Sequence, residues 1–341
     1  MKQQRCPTQR SGTNLPGLDA DHTKRDLGDL ELFPTLDGSF SLRSSLFSEA
    51  FHNAAGALNE AQAKFVRPAE LQRFKPTHTL RVLDVCFGLG YNSAALWESL
   101  NEQGLLMQWW GLEIDRRPLI LALRDNGFLN LWSQSTLNRL ISLEQCGNWI
   151  DACGRGFLYW GDARQCLDDI PCEQKFDLIF HDAFSPKRCP QLWTEEFLKR
   201  LGDRLATGGR LLTYSRSAAV RASLKHAGLE LRSLLRAPGE RMGWSSGTLA
   251  IKPPLHEAQT VGDGWRSLSQ LEVEHLQTRA AVPFRDATGC DDAAEIMQRR
   301  QDEQIICGLE STNSWQRRNG LNKPRQSDEE ALNNQKFRPD A

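Results

Sequence analysis

The sequence has no long hydrophobic run and no cysteine pair of the C-x-x-C type. A membrane-spanning helix needs about 20 consecutive apolar residues, and the first residues, MKQQRCPTQRSGTNLPG, have no apolar core like that of a signal peptide. The nine cysteines are scattered through the chain and do not cluster with the seven histidines at ligand spacings. We therefore expect a soluble, cytoplasmic protein with reduced thiols and no bound metal.

A strong excess of charge of either sign is also absent. The 341 residues include 42 Lys and Arg against 43 Asp and Glu, which gives a net charge of −1. A surface that binds nucleic acid would therefore have to be a local patch. Between residues 186 and 241, twelve basic residues stand against five acidic ones, and this local excess is typical of salt-dependent binding to RNA.

Apolar and helix-forming segments alternate along the middle of the chain. Strands are predicted at 80–86, 107–114, 156–160, 176–182 and 209–215, and helices at 92–103, 117–127, 163–170, 194–206 and 217–227. This alternation predicts an α/β fold with a mostly parallel sheet. The next stretch, LELRSLLRAPGERMGWSSGTLAIKP, predicts a terminal antiparallel hairpin, which is typical of the Rossmann-like sheet of class I S-adenosylmethionine-dependent methyltransferases.

The composition outside this middle part changes at both ends. The predicted organisation comprises a disordered tail (1–28), an N-terminal hairpin and helix (29–75), the central α/β domain (76–254), a helical C-terminal extension (255–310) and a second disordered tail (311–341).

A glycine turn follows the first predicted strand in RVLDVCFGLGYNSAALW. Asp84 precedes Gly88 and Gly90, and glycine lets the backbone approach a ligand closely. A pyrophosphate-binding G-x-G-x-x-G fingerprint would need a third glycine at position 93, where this sequence has Ser93. The turn therefore favours a ligand without a pyrophosphate, although a purely structural turn is left open.

Two further predicted strands end in acidic residues. Glu113 and Asp115 end the second strand in WWGLEIDRRPL, and Asp162 and Ala163 follow the third in YWGDARQCL. An acid at the end of the second strand accepts hydrogen bonds from ribose hydroxyls, and Asp162 could reach an adenine amine. Together with the glycine turn these residues outline an adenosine site, for which S-adenosylmethionine is a better candidate than NAD. Solvated strand ends are the alternative.

The fourth predicted strand carries the candidate catalytic residue. It runs through KFDLIFHDAFSPKRCPQLW, so His181 and Asp182 emerge at its carboxyl end. Methyl transfer to an amine requires that the amine lose a proton and be aimed at the methyl group, and a carboxylate such as Asp182 can accept that proton. Strand alternation places His181 on the opposite side of the sheet, which indicates a structural histidine.

These stretches together resemble the methyltransferase domain of the MnmC-type tRNA-modifying proteins. The resemblance covers residues 35 to about 253 and rests on D-A-F-S-P-x-x-x-P-x-L-W at 182–193, G-G-x-L-x-T-Y-S at 208–215 and F-x-E-x-x-H-x-x-x-G-A-x-x-E at 47–60. It implies a domain that uses S-adenosylmethionine to add a methyl to the aminomethyl group of a wobble uridine, with the tRNA anticodon loop as its partner.

The resemblance also implies roles for individual residues. Asp182 would face the substrate amine. The cofactor-binding residues would be Asp84, Gly88, Gly90, Asn92, Glu113, Asp162 and Ala163, and the substrate-binding residues would be Phe184, Ser185, Pro186, Lys187 and Arg188. Phe47, His52 and Glu60 match the N-terminal motif, for which closure of the site is the implied role.

The sequence departs from the family pattern at the glycine turn and in its last third. Cys86 and Leu89 stand where the family commonly has glycine and threonine. No second G-x-G-x-x-G follows, so we expect no FAD, the cofactor of the oxidoreductase domain in bifunctional members. Two alternatives remain open: an aminopropyltransferase of the spermidine synthase kind, and a relative that binds cofactor or RNA but has lost catalysis.

Overall fold

The structure is a computed structural model that describes residues 26–240, 246–254 and 261–321. The predicted disordered tails lie outside the described residues over 1–25 and 322–341. Within 311–321 the prediction of disorder is wrong, because Thr312–Arg318 form a helix there. Its Trp315 is fully buried and stacks on His275 with a centroid distance of 4.8 Å. One buried tryptophan anchors a segment whose composition is otherwise polar.

The described chain begins with a small antiparallel sheet, followed by a helical segment. The strands are β1 (Leu30–Leu32), β2 (Leu42–Ser44) and β3 (Glu49–Ala50), in the order β1-β2-β3. Helix α1 (Ala57–Ala61) continues into a π-helical turn, Gln62–Val66. This segment packs its apolar side chains into the same buried cluster as residues of the central strands, so it covers part of one face of the central sheet.

A ten-stranded sheet forms the centre of the described chain. Its strands are β4 (Thr79–Val85), β5 (Leu106–Glu113), β6 (Asn148–Asp151), β7 (Gly154–Trp160), β8 (Phe176–His181), β9 (Leu205–Thr213), β10 (Glu230–Leu234), β11 (Thr248–Ile251), β12 (Val261–Gly262) and β13 (Trp265–Ser267). Their order in the sheet is β12-β13-β10-β11-β9-β8-β4-β5-β7-β6.

The topology confirms the predicted fold class. Strands β9, β8, β4, β5 and β7 run parallel to one another. Strand β11 is antiparallel to both β9 and β10, so the predicted terminal hairpin closes the parallel part. The chain order reverses around β4, which lies between β5 and β8. In open α/β sheets ligands bind at such a switch point, outside the carboxyl ends of the strands.

Helices cover both faces of the sheet. They are α2 (Tyr91–Gln103), α3 (Arg117–Ala122), α4 (Asn126–Leu129), α5 (Gln134–Cys146), α6 (Ala163–Cys166), α7 (Glu195–Arg204), α8 (Ala218–His226), α9 (Gln270–His275), α10 (Ala293–Ile306) and α11 (Thr312–Arg318). Strand β4 shows why two layers form: Leu80 and Val82 belong to one buried cluster, and Leu83 and Val85 to the other.

The C-terminal extension is docked on the domain. The prediction for 255–310 was helical, but β12 and β13 form a hairpin that adds to the edge of the sheet, beside β10. Further on, Phe284 and Ile296 are buried in the same core cluster as α7. The N–H of Glu195 donates to the carbonyl of Phe284 at 2.9 Å. The extension therefore contributes side chains to the core and contacts the first residue of α7.

Within the described ranges, no helix is both long and apolar enough to cross a membrane.

Candidate active site

A cavity of about 790 Å³ lies at the carboxyl ends of β4, β5, β7 and β8. Three parts of the chain line it. The strand ends and the loops after them supply one side, the N-terminal segment supplies residues between 26 and 60, and the C-terminal extension supplies Cys290–Ala293. Pockets for small molecules usually measure about 300–1,000 Å³. The cavity is thus of a suitable size for a nucleoside cofactor, and it lies where the topology places a ligand.

The glycine turn lies at one wall of this cavity. Gly88 and Gly90 have φ of 58° and 91°, in the left-handed region that favours glycine. A Cβ at position 90 would lie 2.8 Å from the ring of Phe87, so only glycine fits there. Gly88 lines the cavity, whereas Gly90 is the N-cap residue of helix α2 and does not line it. Of the two predicted cofactor-binding glycines, the structure therefore places only Gly88 at the cavity.

Glu113 connects the glycine turn to the end of β5. Its carboxylate accepts three backbone N–H groups, from Gly88 at 2.7 Å, Ile114 at 2.7 Å and Asp115 at 2.9 Å. Burial raises the pKa of Glu113 to about 7, against the opposite effect of these hydrogen bonds. A carboxylate has about four acceptor positions, so one remains for a hydroxyl group from the cavity. The predicted contact to ribose would use that position.

Asp84 lies beneath the turn and outside the cavity lining. It is fully buried, and its Oδ2 accepts a hydrogen bond from Ser93 Oγ at 2.5 Å. Burial raises the pKa of Asp84 to about 7. The prediction that Asp84 binds the cofactor is therefore not matched by its position. Its contact instead holds the first turn of α2 against β4.

The second predicted adenosine contact, Asp162, caps helix α6 and lines the cavity. Its carboxylate is already engaged by Arg164, whose backbone N–H and Nη2 donate to Oδ1 at 3.0 Å and to Oδ2 at 2.8 Å. Ala163 lines the cavity beside it. Sequence reasoning missed Arg164, although its position two residues after the capping Asp162 was a usable signal.

Asp182 lies in the cavity where β8 ends, next to the glycine turn. Its backbone N–H donates to the carbonyl of Val85 at 3.1 Å, which continues the pairing of β8 with β4. Asn92 Nδ2 donates to Asp182 Oδ2 at 2.7 Å. Asn92 does not line the cavity, so the structure places this predicted cofactor ligand against Asp182 instead. An amide from the first turn of α2 thus fixes the orientation of the carboxylate.

A second carboxylate, Glu60, faces the same cavity from the end of α1. Burial raises the pKa of Asp182 well above its usual range, and the negative charge of Glu60 raises it further. Burial likewise raises the pKa of Glu60. Two half-buried carboxylates in one cavity repel each other when both are ionised, and a cationic ligand between them would relieve that repulsion. This part of the cavity is suited to an ammonium group.

The loop after Asp182 is held in one shape by hydrogen bonds from three directions. Tyr214 Oη donates to the carbonyl of Ala183 at 2.9 Å, and Trp193 Nε1 donates to that of Phe184 at 2.7 Å. The N–H of Ser185 donates to Glu49 Oε2 at 2.8 Å. Tyr214 follows a parallel strand, as the other site residues do, so the same rule could have identified it.

Aromatic rings form the wall beside this loop. Phe184 stacks on Phe47 with centroids 4.4 Å apart and meets the edge of Phe51 at 4.9 Å. All three line the cavity. Of the other predicted substrate-binding residues, Arg188 lines the cavity and is exposed. The remaining three lie outside the cavity lining: Ser185, Pro186 and Lys187.

The two histidines near the site are neutral and packed. His181 is fully buried, its Nε2 lies 2.9 Å from the carbonyl oxygen of Leu192, and its ring meets Trp193 at 4.2 Å. Burial lowers its pKa to about 4. This agrees with the predicted structural role. His52 lines the cavity, and burial lowers its pKa to about 4 as well. No cluster of metal-binding side chains was found over the described part of the chain.

Comparison with known proteins identifies the class of protein that this fold and cavity define. Residues 154–246 match a family described as S-adenosyl-L-methionine-dependent methyltransferases. An uncharacterized protein of Methanocaldococcus jannaschii is 30% identical over 278 residues, which cover 80% of this chain and 71% of that protein. The chain belongs to this methyltransferase family.

Two further relatives narrow the family to the MnmC type. The tRNA 5-methylaminomethyl-2-thiouridine biosynthesis bifunctional protein MnmC of Methylibium petroleiphilum is 26% identical, over 76% of this chain and 40% of that protein. The crystal structure of MnmC2 from Aquifex aeolicus matches with a TM-score of 0.68 and 28% identity, over 82% of this chain and 86% of the other. The chain is an MnmC-type methyltransferase domain, and it spans about two fifths of the Methylibium relative.

Proposed function

We propose that this chain uses S-adenosylmethionine to methylate the aminomethyl group of a wobble uridine in tRNA. The observation that carries the proposal is the position of Asp182. It lies at the end of β8 in the cavity, beside Gly88, and is oriented by Asn92. The similarity to MnmC proteins, whose name specifies 5-methylaminomethyl-2-thiouridine in tRNA, supports the choice of substrate.

The residues at the strand ends fit the cofactor. Gly88 lines the cavity without a side chain, and a Cβ there would be in van der Waals contact with the ring of Phe51, at 3.5 Å. Glu113 has one acceptor position left for a ribose hydroxyl, and Asp162 and Ala163 line the next part of the wall. These residues would hold S-adenosylmethionine, which supplies an electrophilic methyl group on a sulfonium when it is bound.

The carboxylates would prepare the substrate amine. An alkylamine is mostly an ammonium ion near neutral pH and must lose a proton before it can act as a nucleophile. In this proposal Asp182 and Glu60 bind the ammonium, and Asp182 accepts the proton. Asn92 keeps Asp182 from rotating, so the free amine stays oriented toward the glycine turn. Orientation of this kind can contribute roughly 7–11 kcal/mol to the acceleration.

Fewer basic residues are available to bind RNA at the surface than the sequence predicted. The twelve basic residues between 186 and 241 do not form one patch. Arg210 is paired with Glu70 at 2.6 Å and Arg221 with Glu272 at 3.0 Å, both in buried positions, and Arg204 donates to buried carbonyls. Arg241 lies outside the described residues. Exposed basic residues remain at Lys187, Arg188, Arg216, Lys225 and Arg236, and of these Arg188 lines the cavity.

The test is methylation by the purified chain. It would be incubated with isotope-labelled S-adenosylmethionine and tRNA that carries 5-aminomethyl-2-thiouridine, followed by nucleoside mass spectrometry. We expect the label in 5-methylaminomethyl-2-thiouridine. Absence of labelled nucleoside, with S-adenosylhomocysteine binding intact, would exclude this substrate.

Asp182→Asn is the matched variant for the catalytic role. General acid–base catalysis contributes about 10²- to 10⁴-fold, so we expect kcat to fall at least 100-fold. Binding of S-adenosylhomocysteine, measured by calorimetry, should stay within about threefold, because Asn keeps the size of the side chain. Full activity of this variant would remove Asp182 from the mechanism.

The carboxylate pair also favours a second candidate, an aminopropyltransferase. A polyamine substrate would place an ammonium between Glu60 and Asp182 just as an aminomethyl group would. The same assay, run with decarboxylated S-adenosylmethionine and putrescine, separates the two functions. Turnover of putrescine without methylation of tRNA would establish the second candidate in place of the first.

A further inference from the structure

The C-terminal extension is connected to the cavity wall through one nearly buried arginine. Arg164 Nη2 donates to Asp162, and its Nη1 donates to Asp286 Oδ2 at 2.7 Å and to the carbonyl of Asp291 at 2.9 Å. The side chains of Arg164 and Asp286 are 11% and 1% exposed. A single guanidinium thus connects the start of α6, where the adenosyl contact is proposed, to a turn more than 120 residues later.

Asp286 also shapes that turn. Its Oδ1 accepts the N–H of Gly289 at 2.8 Å, the N–H of Asp291 at 3.2 Å and the hydroxyl of Thr288 at 3.0 Å. The chain then enters α10 through Asp292, which forms a capping box with Glu295. As a result Cys290, Asp291, Asp292 and Ala293 face the cavity. We call residues 286–293 the C-terminal turn.

We propose that the C-terminal turn is the wall of the cofactor pocket at its adenosyl end, and that Arg164 and Asp286 are positioning residues for that pocket. The proposal rests on the proposed use of S-adenosylmethionine. The cavity side of the turn lies next to Asp162 and Ala163, the residues that follow β7. Asp162 has the orientation needed for a ligand contact because Arg164 holds both of its oxygens.

The electrostatics explain why the connection depends on Asp286. Burial lowers the pKa of a guanidinium, but hydrogen bonds and charge interactions with Asp162 and Asp286 raise that of Arg164. If the charge of Asp286 is removed, Arg164 loses one of two anionic partners in a nearly buried place. Breaking one side of a buried ion pair is costly because the remaining charge is left uncompensated. Arg164 would then move, and with it Asp162 and the turn.

Binding and docking are therefore coupled in both directions. If the docked turn strengthens cofactor binding, bound cofactor must stabilise the docked turn by the same factor. Amide hydrogen exchange measures this on the unmodified chain. We expect S-adenosylhomocysteine to slow exchange at 286–300 and to leave α11 unchanged. No protection at 286–300 with the ligand bound would overturn the proposal.

Calorimetry on Asp286→Asn is the second test. Asn keeps the size and one acceptor oxygen but not the charge, and we expect the Kd for S-adenosylhomocysteine to rise at least tenfold. Asp286→Glu should recover part of that loss because it restores the charge. Asp263→Asn is the matched control, since Asp263 is half-exposed, pairs with Arg67 at 2.6 Å and lies outside the cavity lining. Its Kd should change less than twofold.

The outcomes separate this inference from the proposed function. Unchanged affinity in Asp286→Asn overturns the inference and leaves the methyltransferase proposal intact. Failure of the unmodified chain to bind S-adenosylhomocysteine overturns both. If S-adenosylhomocysteine binds and protects 286–300 as expected but tRNA is not methylated, the inference is supported and only the proposed substrate is excluded. If Asp286→Asn does not fold, the hydrogen-exchange result on the unmodified chain decides.

Discussion

At the scale of single residues, the most informative feature is the pair of acids that faces the cavity. Glu60 belongs to the N-terminal segment, and Asp182 to the end of β8, so they meet only in the folded chain. Among the described residues that line the cavity, the cationic side chains are Arg164 and Arg188. Arg164 is held by Asp162 and Asp286. Lys64, which lies outside the lining, acts against the rise in the pKa of Glu60 that burial causes, but it is itself paired with Glu240. We therefore attribute the acid pair to a positively charged substrate group.

Glu60→Gln tests that explanation. The substitution keeps the shape and the contact with the N–H of Asn53, which lies 3.2 Å from Glu60 Oε2, but removes the negative charge. We expect kcat/KM for tRNA to fall about tenfold, mainly through KM, because one of two anionic contacts to the ammonium is lost. S-adenosylhomocysteine binding should not change. Glu31→Gln, at an exposed position in β1, is the control and should behave as wild type.

The raised pKa of Asp182 predicts a pH dependence. Burial and the charge of Glu60 raise this pKa well above the usual range, so the carboxyl is protonated over a wider range of pH. Only the ionised form can accept a proton from the substrate. We therefore expect kcat/KM to rise as pH increases through the raised pKa, in a profile measured from pH 6 to 9. A profile that is flat on its acidic side would contradict this assignment.

Cys86 provides a stability prediction at the same scale. Its φ is 68°, a conformation that favours glycine and is unusual for other residues. Cys86→Gly and Cys86→Ala both remove the thiol, but only glycine relieves the backbone. We expect the glycine variant to have the higher free energy of unfolding, by about 1 kcal/mol. Urea denaturation of the two variants measures the difference. A more stable alanine variant would contradict the hypothesis that the backbone at position 86 is strained.

At the scale of secondary structure elements, the sequence predicted those with a strong apolar pattern. The five predicted parallel strands occur as β4, β5, β7, β8 and β9, with ends shifted by up to four residues. Helix α5 and strand β6 were missed. Helix α5 buries only one stripe of residues, which includes Leu140 and Leu143, and β6 buries only Trp149. Taken together, the two elements consist mostly of polar residues, so their sequences show no strong apolar pattern. Their positions depend on packing against α2 and β7, which a local pattern does not show.

The π-helical turn after α1 contains a buried cation that ties two elements together. Lys64 Nζ lies 2.7 Å from Glu240 Oε2 and contacts Ser246, so it connects this turn to the segments that flank β10 and β11. The Lys64 side chain is 2% exposed and that of Glu240 is 26% exposed. The ion pair therefore lies at the boundary of the core, with Lys64 buried and Glu240 partly exposed to water.

Lys64→Ala should be strongly destabilising. It leaves Glu240 without its partner in a half-buried place and creates a cavity, so we expect a loss of about 2–4 kcal/mol in the free energy of unfolding. Gln62→Ala, at an exposed position in the same turn, is the matched control and should lie within about 0.5 kcal/mol of wild type. Equal effects of the two substitutions in denaturant melts would show that the ion pair does not stabilise the chain.

At the scale of the whole molecule, the site divides into a predictable part and an unpredictable part. Glu113 ends a parallel strand, Gly88, Asp162 and Asp182 follow such strands, and the carboxyl ends of parallel strands meet at one edge of a sheet. Asp84 lies within β4 and not after it, and its side chain contacts Ser93 beneath the glycine turn. The C-terminal turn had no sequence signal, since its place depends on how the extension docks.

The attachment of the extension to the domain also depends on buried ions. Glu272 in α9 is fully buried and meets Arg221 Nη1 at 3.0 Å and Arg266 Nη1 at 2.6 Å. Burial alone would raise its pKa, but hydrogen bonds, among them those from the N–H of Ser269 and from Arg266, lower it to about 2. The extension is thus held to α8 and the sheet edge by a carboxylate that must remain ionised.

Glu272→Gln predicts how acid affects the whole molecule. The pKa of Glu272 is lower in the folded chain than its unfolded value near 4.5, so its contribution is complete above that value and is lost as pH falls toward 2. Urea denaturation gives the free energy of unfolding of wild type and of the variant at each pH. We expect the difference between the two proteins to be larger at pH 6 than at pH 2.5, by about 2 kcal/mol. A difference that is constant over this range would show that ionisation of Glu272 does not stabilise the extension.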